Sequence, residues 1–91
     1  MNNSVCICIP KIEETVNKQL IKKVFEGHNI GNVTKINLVY SKEKKNKLAF
    51  VYLKYNQHKN SLLAKQYIDE GKDFKLVYNF PWFWKCYKAN D

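Results

Sequence analysis

Leu48-Ala49-Phe50-Val51-Tyr52-Leu53 is the stretch on which the fold turns. Side chains alternate across a strand, so a two-residue period sets Ala49, Val51 and Leu53 on one face and Leu48, Phe50 and Tyr52 on the other. The first set is small and aliphatic and suits a core. The second carries rings and reads as a solvent face. A strand is predicted from Leu48 to Tyr55.

Upstream of it, Val33 to Tyr40 alternates as a second strand, entered through Ile30-Gly31-Asn32 and left through the charged loop Ser41-Lys42-Glu43-Lys44-Lys45-Asn46. Before that, Asn17 caps a helix whose apolar residues Leu20, Ile21, Val24 and Phe25 form one stripe ending at Gly27. Val5-Cys6-Ile7-Cys8-Ile9 is a buried first strand, expected to stop at Pro10. Downstream, Ser61 to Ile68 repeats the helical pattern, with Leu63, Ala64, Tyr67 and Ile68 as the stripe and Gly71 as the stop. Phe74 to Tyr78 reads as a short extended arm, and Phe83 to Lys88 as a last strand starting after Pro81. The order is βαββαβ. It predicts an α+β, ferredoxin-like split βαβ fold, with a four-stranded antiparallel sheet and two helices on one face.

Ninety-one residues leave room for one domain, residues 1–91, with an ordered core from about Ser4 to Ala89. The start, Met1-Asn2-Asn3-Ser4, lacks the basic and apolar regions of a signal peptide, and the apolar runs are short. A soluble intracellular protein is expected, in the cytoplasm or nucleus of a host cell, without membrane contact and monomeric. Cys6, Cys8 and Cys86 have no disulfide-framework spacing, which fits reduced thiols in a reducing compartment. The net charge of +8 favours polyanions. All sixteen basic residues are Lys, however, and eleven Asn accompany them, a composition that a low-GC genome also produces. The charge divides evenly between the two halves of the chain.

Asn46 to Leu53 resembles the eight-residue motif of RNA recognition motif (RRM) domains, with Ala49, Phe50 and Val51 matching and Leu48 and Leu53 standing for aromatics. Asn46 occupies a position that is usually basic, and Lys47 one that is usually Gly. The family's six-residue motif on the first strand resembles Ile7 to Ile12, matching at Ile7, Ile9 and Ile12, while Cys8 holds the place of a base-stacking aromatic. Val16 to Phe25 resembles the family's first helix, and Ile30-Gly31-Asn32-Val33 its entry to strand two. Ile9-Pro10-Lys11 together with Pro81-Trp82-Phe83-Trp84-Lys85 also resembles small RRM-like proteins of giant DNA viruses.

The resemblance implies single-stranded RNA on the open sheet face. Phe50 and Tyr52 then offer rings for stacking, beside Leu48 and Cys8. On the last strand, Lys85 belongs on the open face because burying an unpaired ammonium is costly, and Tyr87 shares its side. The tryptophans, Trp82 and Trp84, then fall to the core or an edge. Lys42, Lys44, Lys45 and Lys47, in or beside the loop between strands two and three, are candidate phosphate contacts.

An acylphosphatase-like enzyme shares this order but needs an Arg, and the chain has none. A heavy-metal domain needs Cys-x-x-Cys after the first strand, whereas Cys6 and Cys8 alternate within it. His28 and His58 have no acid, nucleophile or Gly-rich phosphate loop beside them, so catalysis, a metal and a cofactor are not expected. The alternative function is an RRM-like protein-interaction module that has lost RNA binding, with a protein partner at an exposed Trp.

Overall fold

The computed structural model describes residues 3–43 and 45–89. Seven elements follow in the order β1 (Ser4–Ile12), α1 (Lys18–Gly27), β2 (Asn32–Ser41), β3 (Asn46–Lys54), α2 (Lys59–Asp69), β4 (Phe74–Asn79) and β5 (Trp82–Lys88). The fold is α+β. Its antiparallel sheet runs β2-β3-β1-β5-β4, an order consistent with a split βαβ plan.

The sheet has five strands rather than the four expected. The extra one is the arm after α2, where Phe74 and Leu76 turn into the core while Lys75 and Val77 face out. That alternation lets the arm pair with β5, with Leu76 opposite Trp84 and Val77 opposite Phe83. The chain reverses at Phe80 and Pro81, joined by a cis peptide bond. The far side of β4 meets both helices. There His28, the cap residue of α1, donates its Nε2–H to the Val77 carbonyl at 2.8 Å.

Inward-facing Ile7, Ile9, Ala49, Val51 and Leu53 join Ile21 and Phe25 of α1, Ala64 and Ile68 of α2, and Trp84 and Cys86 of β5 in one core. Trp84 also stacks on Tyr78, ring centroids 4.5 Å apart. Asn17 caps α1 as expected, its Oδ1 accepting from Leu20 N at 2.8 Å. In α2 the buried stripe is Ser61, Ala64 and Ile68; Leu63 and Tyr67 instead border a cleft of about 320 Å³ against β4. His58 caps that helix, its Nδ1 accepting from Asn60 N at 3.1 Å.

Two local features have backbone causes. β1 runs two residues past Pro10, because the pairing with β3 shifts register between Ile9 and Ile12 and the bulge accommodates a residue without an N–H. Gly31 is required by close approach: a Cβ there would stand 2.6 Å from the Lys54 carbonyl oxygen and 2.8 Å from Leu53 Cδ1. Among the described residues no helix is long and apolar enough to cross a membrane.

Candidate nucleic-acid interface

Register decides what the sheet shows on the side away from the helices. Phe50 of β3 pairs with Cys8 of β1 and with Asn37 of β2, and Cys8 pairs in turn with Tyr87 of β5. Neighbours at matched register share a face, with Cβ atoms about 5 Å apart. Asn37, Phe50, Cys8 and Tyr87 therefore make one row across four strands. Tyr52 lies two residues along β3 from Phe50, and Lys85 two along β5 from Tyr87, so both keep that face; Leu48 does the same at the other end of β3. The six sheet-face residues expected from the sequence, Phe50, Tyr52, Leu48, Cys8, Lys85 and Tyr87, thus share one side. Tyr52 is 37% and Tyr87 39% exposed, while Ala49, Val51 and Leu53 beneath them are buried.

Charge on this layer is of one sign. Among the described residues no strand contains an Asp or Glu, and the strands hold seven of the sixteen lysines, so they carry +7 of the net +8. The even division along the sequence hides a separation by layer: the described acids sit in loops and helices, and off the strands the sequence holds eight acids against nine lysines. Lys35 extends over the Tyr52 ring, its Nζ 5.5 Å from the centroid. Lys75 does the same over Phe83 at 5.3 Å.

The loop lysines divide. Lys42 and Lys45 are exposed in the turn between β2 and β3, and Lys44 lies outside the described residues. Lys47 pairs with Ile12, on the side of the core residues, and its ammonium donates to the Glu14 carbonyl at 2.8 Å. It braces the end of β1 rather than joining the open face. Asn46 has a related job, its Nδ2 donating to the carbonyls of Pro10 at 2.8 Å and Lys47 at 3.1 Å. The two departures from the RRM motif, at Asn46 and Lys47, are therefore tied to the bulge at Pro10.

Sequence reasoning missed Lys35, Asn37, Phe83 and Lys75. The signal was present in the alternation Lys35-Ile36-Asn37-Leu38, whose polar members share the parity of Phe50, but a bulge at Thr34 obscures it upstream. Thr34 Oγ1 closes that bulge by donating to the Tyr52 carbonyl at 3.1 Å. The two tryptophans also divide. Trp84 is core, whereas Trp82 is 63% exposed beside Phe80 at 86%, beyond a register shift at the hairpin end.

Cys86 is buried on the core side, where burial first, then Asp73 and Cys8, push its thiol up; Cys6 and Cys8 alternate with the core residues of β1 and share the opposite parity. Among the described residues no group of three or more His, Cys, Asp or Glu is placed to hold a metal ion. Planar rings flanked by ammonium groups can stack on flat π systems and attract anions.

Protein-family models, curated proteins and solved structures were compared with the chain, and none matches.

Proposed function

We propose that the chain is an RRM-like, ferredoxin-like split βαβ module that binds single-stranded RNA on its open sheet face. The observation that carries this is the pairing of exposed rings with a strand layer that holds no carboxylate and seven lysines, of which Lys35, Lys75 and Lys85 share the ring face while Lys47 and Lys88 take the parity of the core residues. A stacked base contributes about 1 to 3 kcal/mol, and each neutralised phosphate adds a salt-dependent increment. Phe50 and Tyr52 supply stacking surface, Tyr87 extends it, and Lys35 and Lys85 meet the backbone. Cys8 lies between Phe50 and Tyr87 and gives the centre of the row a small, polarisable side chain instead of a ring. The role is binding rather than catalysis, inside a cell.

The test is a titration of fluorescein-labelled single-stranded RNA pools with wild type and a Phe50→Ala, Tyr52→Ala variant at two salt concentrations. Affinity that falls with salt and drops about fivefold or more in the folded variant is expected. Absence of binding at low salt, or binding indifferent to the two rings, refutes the proposal.

The second reading, a protein-interaction module, is favoured by the exposed pair Phe80 and Trp82 at the tip of the β4–β5 hairpin. RNA binding lost on Trp82→Ala but untouched by the Phe50, Tyr52 pair would contradict both readings as stated; no RNA binding at all leaves this one.

A further inference from the structure

The fifth strand changes what lies beside β1. β5 pairs with β1 at Ile7–Lys88 and Cys8–Tyr87, and past those pairs the two strands diverge towards Pro10 and Phe83. Between them opens a cleft of about 250 Å³ lined by Pro10, Lys11, Phe83 and Lys85. The Phe83 ring is 43% exposed and has the Lys75 ammonium over it.

The charges around this cleft are costly as they stand. Lys75 and Lys85 are directly opposite each other across the β4–β5 ladder. Like charges at such positions destabilise a sheet. Neither takes part in an ion pair among the described residues, where the ion pairs are Lys65–Asp69 and Lys72–Glu70 on and after α2. Lys11 adds a third ammonium at the rim. An anion placed between the opposed lysines would remove the repulsion, and the ring under it gives a flat apolar group next to that anion a place to lie. A nucleotide has both parts, a phosphodiester and a base.

We propose that this cleft is a second nucleotide subsite: a base stacks on Phe83 against Pro10, and its phosphate lies between Lys75 and Lys85 with Lys11 at the rim. This rests on the reading of the open face as an RNA site and extends it to the fifth strand. Phe83 lies two strands from Phe50, roughly 10 Å across the sheet, and further along it. A strand long enough to reach from the central row occupies both sites, while a very short one fills only the row at Phe50. The ligand class is therefore single-stranded RNA in long tracts.

The experiment compares a tetrauridylate with a dodecauridylate by fluorescence anisotropy on wild type, Phe83→Ala, the Lys75→Ala, Lys85→Ala double variant, and Phe50→Ala, Tyr52→Ala. Phe83→Ala should weaken the dodecamer about fivefold or more and leave the tetramer unchanged. The lysine variant should lower the slope of log K against log salt for the dodecamer by about 0.7 for each phosphate that is no longer neutralised. Its denaturation midpoint should not fall, because a repulsion has been removed, so unfolding does not imitate loss of the subsite.

A dodecamer affinity unchanged in Phe83→Ala, or equal losses on both lengths, overturns the subsite. If the Phe50, Tyr52 variant still weakens both lengths, the open-face site stands without it. If that variant changes neither length, the open-face site falls and the subsite falls with it.

Discussion

Replacing Cys8 by Phe adds a ring between the two rings of the central row, Phe50 and Tyr87. Cys8 is half-buried, opposite Phe50 on one side and Tyr87 on the other. The new ring would face away from Ile7 and Ile9, which are fully buried, and meet neighbours whose Cβ atoms lie about 5 Å away. Each aromatic cross-strand pair is worth about 0.2 to 1 kcal/mol, so the folded state should hold or gain stability. For RNA the gain is larger: one more stacked base at about 1 to 3 kcal/mol corresponds to about 5-fold to 150-fold tighter binding. The assay is anisotropy with labelled single-stranded RNA at two salt concentrations, beside a denaturant melt. The slope of log K against log salt should stay at the wild-type value, because no charge has been added. Unchanged affinity in a variant that melts at or above the wild-type midpoint refutes the stacking row. A loss of about 1 to 3 kcal/mol of stability would refute the register itself, since it would mean that the ring had been forced into the core.

Further outcomes concern stability and pH. Gly31→Ala should cost about 1 to 3 kcal/mol, because the added Cβ meets the Lys54 carbonyl, whereas Gly27→Ala, with open space around it, should be neutral or slightly stabilising; thermal melts compare the two. Trp84→Ala should cost about 3 to 5 kcal/mol by emptying the centre of the β4–β5 packing, and Trp84→Phe far less, since the indole N–H is buried without a hydrogen-bond partner among the described residues. Burial first, then Asp69, pushes the Tyr55 phenol from 10.0 up to about 12, and burial also raises Cys86 above its usual 9.0. The unfolded chain therefore loses these protons first, so stability present at neutral pH should decline as pH rises above about 9 and further between 10 and 12. Urea midpoints measured across that window should fall, and Tyr55→Phe should reduce the part beginning near pH 10, to which Tyr78, also raised by burial and Glu13, contributes the rest.

The alternation at residues 48 to 53 is legible because burial and exposure there involve different residue types. The core trio is small and aliphatic, and no other register keeps Phe50 and Tyr52 out of the interior. The parity of β5 is legible for a different reason: Lys85 has no carboxylate within its own strand, and an ammonium in the core is too costly. The pairing of β4 is not legible. Phe74 to Asn79 alternates correctly, but an edge strand owes its existence to a partner and to the turn between them, and Pro81 reads equally well as the start of a lone strand. The extent of α2's stripe is hidden too, because Leu63 and Tyr67 look like core residues until β4 is seen to leave a cleft beside them. At the site, the anchoring of Lys47 is hidden because a lysine next to a basic loop gives no sign that the bulged end of the neighbouring strand offers its ammonium a carbonyl.

The concentration of formal charge on the strands gives the molecule an orientation before anything touches it. In the field of a distant polyanion, a body whose positive charge lies on one layer turns that layer forward, while the near-neutral remainder contributes little torque. Encounters then arrive already facing the rings, which raises the productive fraction of collisions rather than the strength of the final complex. Added salt should therefore slow association before it hastens dissociation, and a variant with acids exchanged into the helices should keep its on-rate far better than one with the same acids placed in β2 or β5.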